Sequence, residues 1–235
     1  EVTSNAVIYI DNIKYSFESN LLLPDYFFLI PEFIISSSKN IKASSGFDAI
    51  AQALESLISR KSTEKSVIYA TKSLKVSLNS YISLLENPNI KNSSEMLIAS
   101  NFAGKAINIS KTTSPHAVSY PFTSLFDISH GHAVSLFFED FFRFNFSHIK
   151  KSELPFSLEK RFDLIFDLLN VKNIEGFSSK IKILKKKAKL EDNLKKLKIN
   201  IKERSNEILK GINPLRLGNN PIPINNKDIY NILMK

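Results

Sequence analysis

Thr112-Thr113-Ser114-Pro115-His116-Ala117-Val118-Ser119-Tyr120-Pro121-Phe122-Thr123-Ser124-Leu125-Phe126-Asp127-Ile128-Ser129-His130-Gly131-His132 carries three of the four histidines in this 235-residue chain. Ser114-Pro115 signals a helix start, with a hydroxyl N-cap and proline at the first helical position, where its missing N–H is not needed. His116 then falls on the first turn. Phe122, Leu125 and Phe126 form the apolar face of that helix, and Asp127-Ile128-Ser129 ends it and caps a second helix opening at His130. Two imidazoles thus sit near two helix N-termini, where the dipole disfavours a protonated ring. The neutral ring is the form that ligates a metal.

Composition narrows the chemistry. The length suits one large domain with a real core. The chain has no cysteine, so disulfides, thiolate metal sites and a cysteine nucleophile are excluded, and His, Asp, Glu and amide oxygens remain as ligands. No apolar run approaches the ~20 residues of a membrane helix, and no signal peptide is visible, which predicts a cytoplasmic protein without a membrane partner. The net charge of +9 accompanies abundant Lys, Asn and Ile, the look of an AT-rich coding sequence. Its basic stretches are not interleaved with aromatics at strand spacing, so nucleic acid is not expected as a partner.

Along the chain, residues 1–33 read as extended. Ala6–Ile10 and Lys14–Phe17 make a hairpin about a turn at Asp11-Asn12, and Tyr26–Ile30 reads as a buried strand between prolines. From about residue 44 the period becomes helical. Ser44 or Ser45 caps a helix with Phe47, Ile50, Ala51, Leu54, Leu57 and Ile58 on one stripe, and Asp48 and Gln52 share a face beside it. Asp48 alone is equally a first-turn acid favoured by the dipole. Further helices are predicted over 64–85, from a Ser94 cap to about 109, over 130–145 with a phenylalanine core face, and over 157–170, 175–188, 190–199 and 201–210. The last lies near 227–234, beyond a turn-rich connector. Lys185-Lys186-Lys187 reads as a solvated face.

An Asp and a Gln four apart on one helix, a His opening a second and a His opening a third supply two imidazole nitrogens, a carboxylate and an amide oxygen. That set suits Fe²⁺ or Zn²⁺. With one carboxylate the site stays net positive and can polarise a carbonyl.

At these residues the chain resembles the iron-containing alcohol dehydrogenase family. Ser45-Gly46-Phe47-Asp48-Ala49-Ile50-Ala51-Gln52-Ala53-Leu54-Glu55 is similar to the family's Gly-x-Asp-Ala-(x)₂-His-Ala-(x)-Glu helix. His116…Tyr120-Pro121…His130-Gly131 is similar to its His-x₃-His-Pro…Pro-His-Gly segment, Glu1-Val2-Thr3 to the end of its Gly-Thr-Gly-Ser-Glu-Val-Thr loop, and Arg216-Leu217…Asn219-Asn220-Pro221 to its closing segment. The resemblance implies a mainly α fold. Residues 41–235 would be the all-helical, dehydroquinate synthase-like metal-binding domain, and residues 1–40 the last strands of an α/β nucleotide-binding domain whose main part would precede Glu1.

It further implies metal ligation by Asp48, Gln52, His116 and His130, catalytic roles for Tyr120 and His132, and NAD(H) or NADP(H) contacts from Thr3 and Lys14. Gln52 replaces the family's usual His ligand, and Tyr120 the second His of the pair. With these departures the chain resembles the phosphonoacetaldehyde reductase subgroup, which implies reduction of that aldehyde to 2-hydroxyethylphosphonate. Thr112, Thr113 and the N–H groups of the following helix start are candidates to bind the phosphonate, since helix N-termini bind anions. A loop cap is the alternative role of the threonines. A homodimer is compatible with this reading. The competing readings are a reductase of another short aldehyde and a catalytically inert helical fragment.

Overall fold

A computed structural model describes residues 2–10 and 13–235. An antiparallel hairpin, β1 (Asn5–Ile10) and β2 (Ile13–Glu18), pairs Asn5 with Glu18 and Ile10 with Ile13; the predicted turn at Asp11-Asn12 lies outside the described residues. Twelve α-helices follow among the described residues. They are α1 (Pro31–Ser36), α2 (Lys39–Ile58), α3 (Glu64–Glu86), α4 (Ile90–Ser110), α5 (Ser114–Phe126) and α6 (His130–Ser135), then α7 (Phe138–Ser147), α8 (Leu158–Leu169), α9 (Ile174–Ala188), α10 (Ile201–Gly211), α11 (Pro214–Leu217) and α12 (Asn226–Leu233). No described helix is long and apolar enough to cross a membrane.

The helices begin where side chains satisfy their first N–H groups. α2 starts at a Ser38 cap rather than at Ser44 or Ser45, because the Ser38 hydroxyl accepts the Ile41 N–H. α4 starts at Asn89, whose side chain exchanges hydrogen bonds with Asn92 in a capping box, five residues ahead of the cap predicted at Ser94. α2, α3 and α4 form the packed centre, with Phe47, Ile50, Leu54, Leu74 and Tyr81 fully buried. Gly46 is obligatory there, since a Cβ would meet the Tyr81 ring at 2.5 Å. The hairpin is tied to α4 through Ser4, whose N–H and hydroxyl both donate to Asn108 Oδ1, and through the Lys111–Glu18 ion pair.

Four expectations need correction. Tyr26–Ile30 is not a buried strand: the segment is irregular, with Tyr26 83% and Phe28 81% exposed and no strand beside it among the described residues. Residues 190–199 form turns rather than a helix, with Lys189 and Lys198 in the left-handed region at φ 57°. The helix predicted over 130–145 is two helices, α6 and α7, broken at Leu136-Phe137 without a glycine or proline to announce it.

The fourth correction explains the third. Lys185 is not solvated but buried, 1% exposed. Its Nζ donates to the Ser135 carbonyl at the end of α6 (3.3 Å) and to both Glu139 oxygens in the first turn of α7 (2.8 and 3.0 Å). One cation therefore caps the C-terminus of α6 and pairs with the acid at the N-terminus of α7, which makes the break stable. Burial raises the Glu139 carboxyl above the usual range, against the pull of Lys185.

Lys185→Met therefore strands a buried carboxylate and is expected to cost about 3–5 kcal/mol in urea unfolding, with most of it recovered in Lys185→Met/Glu139→Met. Because Glu139 is more easily buried as the acid, the single variant should lose further stability as pH rises through the ordinary carboxylate range and on through the raised Glu139 value.

Candidate metal centre

Asp48 projects from the middle of α2, His116 from the first turn of α5 and His130 from the first residue of α6. Each offers one ligand atom, and the three atoms lie within 4.8 Å of one another. His116 Nε2 is 3.0 Å and His130 Nε2 3.9 Å from the same oxygen, Asp48 Oδ1. The two rings meet edge to face with centroids 5.4 Å apart. Gln52, one turn beyond Asp48, reaches its other oxygen, Nε2 donating to Oδ2 at 2.8 Å. The amide oxygen, the atom able to ligate, is the other end of the same group. Tetrahedral ligand atoms with bonds of ~2.1 Å lie about 3.4 Å apart, so two nitrogens and a carboxylate at these separations fit a divalent ion with little movement.

Close helix packing creates this convergence. Gly131 lies against α2 so tightly that a Cβ would meet the Ser44 carbonyl oxygen at 2.1 Å, and the His132 N–H donates to Ser44 Oγ. Without a side chain at 131, α6 can bring His130 onto Asp48.

Glu55 is the functional residue that reasoning from sequence passed over. It is fully buried, and its carboxylate lies 2.5 Å from His116 Nδ1 while accepting the backbone N–H groups of His116 (3.2 Å) and Thr113 (3.4 Å). It therefore fixes the ring with Nε2 toward Asp48, the arrangement that orients histidine ligands in metal sites. It also occupies the helix start: Thr113 rather than Ser114 is the N-cap of α5 and makes no side-chain cap bond, because the carboxylate from α2 does that work. The Glu at the end of the quoted α2 segment, seven residues after Asp48 and so on the same helix face, was the available signal.

The helix dipole is not the strongest field on the His116 ring. Burial opposes the charged ring, but Glu55 and Asp48 outweigh it and hold the pKa up at about 9. Two carboxylates at hydrogen-bond distance prevail over one helix dipole.

The other candidates divide. Tyr120 stands beside the cluster, its ring edge-on to His130 with centroids 6.3 Å apart, and its hydroxyl accepts from Arg216 Nε at 3.3 Å. His132 does not join the cluster; its Nε2 meets the Glu191 carbonyl at 2.6 Å and ties α6 to the 190–199 turns. Thr112 and Thr113 are buried, and Thr113 Oγ1 has no hydrogen-bond partner among the described residues. Thr112 Oγ1 accepts from Arg216 Nη1 at 2.7 Å, and the helix N–H groups expected to help them are held by Glu55. Thr3 lines a cavity with Arg216, its hydroxyl donating to the Asn5 carbonyl. Lys14 is carried on β2, and its side chain lies outside the described part of the structure.

Residues 42–235 match the model of the Fe-containing alcohol dehydrogenase family, C-terminal. The chain belongs to this family. It is 29% identical over 133 residues to 4-hydroxybutyrate dehydrogenase of Clostridium kluyveri, covering 55% of this chain and 36% of that protein. It is 26% identical over 133 residues to phosphonoacetaldehyde reductase of Streptomyces viridochromogenes, covering 56% and 34%. The fold superposes on sulfoacetaldehyde reductase from Bifidobacterium kashiwanohense, solved in complex with NAD⁺, with a TM-score of 0.86 and 24% identity, covering 100% of this chain and 60% of that one. The chain thus matches little more than a third of these curated relatives' length, and the mainly α architecture is that of the family's helical C-terminal domain.

Glu55→Gln is expected to weaken Zn²⁺ binding by about 10–100-fold, because the charged partner of His116 Nδ1 is lost while the shape is kept. A chelator-competition titration checks this. A fall in melting temperature with unchanged Zn²⁺ affinity would reduce Glu55 to a helix cap.

Proposed function

We propose that this chain is the metal-binding half of an NAD(P)H-linked aldehyde reductase, with residues 1–40 contributed to the nucleotide-binding side and residues 41–235 holding the metal. The convergence of Asp48, His116 and His130 within 4.8 Å carries the reading, and family membership supports it. Asp48, His116, His130 and the Gln52 amide oxygen would hold Fe²⁺ or Zn²⁺. Such an ion supplies Lewis-acid polarisation of a carbonyl, and the nicotinamide supplies hydride.

This chain's own residues set the conditions for that chemistry. Asp48 would bring the centre's one ligating carboxylate, with Glu55 as a further negative charge behind His116. Glu55 holds His116 in the ligating orientation. Tyr120, oriented by Arg216, is assigned to give the alkoxide its proton. The fully buried Thr113 and Ser114 and the nearly closed His116 keep the α5 side of the site dry.

The substrate we assign is phosphonoacetaldehyde, reduced to 2-hydroxyethylphosphonate. The Gln52 and Tyr120 departures and the Streptomyces relative support it. The similarity to 4-hydroxybutyrate dehydrogenase and sulfoacetaldehyde reductase, two relatives whose names also describe short chains with an acidic end, points in the same direction.

Calorimetric titration should show one Zn²⁺ or Fe²⁺ per chain, with His116→Ala or Asp48→Asn weakening it more than about 100-fold, or ~2.8 kcal/mol. No binding by the wild type would remove the reading. In a panel on the metal-loaded protein with NADH and NADPH, phosphonoacetaldehyde should exceed propanal by on the order of 100-fold in kcat/KM, since a charge-binding site rejects a substrate lacking the charge. Equal values would favour another short aldehyde, and no turnover at all by a chain that binds metal would favour an inert helical fragment.

A further inference from the structure

Pro121 lies inside α5 and has no N–H to give to the Ala117 carbonyl one turn back. The Asn213 N–H takes that carbonyl instead, at 3.2 Å. Gly211 packs on the proline ring, where a Cβ would come within 2.9 Å of Pro121 Cβ. Farther on, Asn219 Nδ2 reaches Ser59 Oγ and the carbonyls of Ser110 and Thr112 at 2.8–2.9 Å. The segment from Gly211 to Asn219 is therefore pinned across α5 at both ends, and Arg216 is fixed between the pins.

Among the described residues the Arg216 guanidinium donates to two neutral groups, Thr112 Oγ1 and Tyr120 Oη. Among the described residues no carboxylate lies within 4.0 Å of it. It lines a cavity of about 360 Å³ with Lys61, Lys111, Thr3 and Asn5. The cavity's one carboxylate, Glu18, is already paired with Lys111. Glu18 is held below the usual carboxylate range, chiefly by its hydrogen bond to Lys111 and further by the fields of Lys61 and Arg216. A half-buried guanidinium with three N–H donors left, in a lining where three cations face the one described carboxylate, is suited to an anion. Tyr120, which accepts from Arg216 Nε, stands edge-on to His130.

We propose that Arg216, assisted by Lys61, binds a tetrahedral oxyanion, a phosphonate or phosphate group, in this cavity. Assigning that group to the tail of the aldehyde rests on the function proposed above. A phosphate of the dinucleotide is the other source of the same chemistry. The Thr112 hydroxyl, a candidate for the same anion, is already committed to Arg216.

The test titrates the chain with methylphosphonate by calorimetry, with and without Zn²⁺. Binding should weaken with added KCl, fall at least tenfold in Arg216→Met and fall less in Arg216→Lys, which keeps the charge but loses the fork. Zn²⁺ affinity of Arg216→Met, measured in parallel, should stay within about twofold of wild type. No binding by the wild type, equal binding by Arg216→Met, or joint loss of anion and Zn²⁺ binding would overturn the proposal, the last showing a structural role. Methylphosphonate binding alongside saturating ADP-ribose assigns the oxyanion to the substrate, and Arg216-dependent competition assigns it to the cofactor. Anion binding by a chain that fails to bind Zn²⁺ would leave this site standing and remove the aldehyde reductase reading.

Discussion

A single buried carboxylate underlies the arrangement. Glu55, shut away from solvent in α2, meets His116 Nδ1 and two backbone N–H groups at the start of α5. Burying a charge costs several kcal/mol unless it is paired and hydrogen-bonded, and here all its partners come from the one segment that must be placed. The same interaction therefore docks α5 on α2, caps a helix whose own threonine does not, and aims His116 Nε2 at Asp48. Displacing Glu55 would loosen all three together.

The third ligand depends on a different device. α6 is only six residues long, too short to hold its own orientation, and it is fixed from every side. Gly131 lets it touch the Ser44 backbone, His132 ties it to the Glu191 carbonyl, and Lys185 closes its C-terminus. His132 and Lys185 thus serve the metal centre through the helix that carries His130, without joining the ligand cluster. Polar groups that would be costly inside a core are used because each satisfies a helix end or a carbonyl that would otherwise be orphaned.

A basic chain with no cysteine keeps its charge meaningful at one place above others. Most lysines lie on solvated helix faces, but Arg216 is anchored by the proline gap in α5 and left without a carboxylate. Its position is set by backbone geometry, the pins at Ala117 and Asn219, rather than by a flexible loop.

Much of this was legible from residue order. The three-and-four spacing of apolar residues located most helices, the Asp48–Gln52 spacing put both groups on one face, and His116 and His130 were marked by the helix starts beside them. Those features are local, and local periodicity and capping depend on neighbours within a turn or two. What the sequence withheld was non-local. No pattern in Lys185-Lys186-Lys187 distinguishes the one lysine that is buried on Glu139, and nothing in 130–145 marks the break that this lysine stabilises. Tyr26–Ile30 has the composition of a strand, but a strand exists only with a neighbour to pair with. The sequence by itself determined which side chains were candidates to ligate a metal; whether Asp48, His116 and His130 come together was decided by Glu55, Gly131 and Lys185, because convergence is a property of helix packing across dozens of residues.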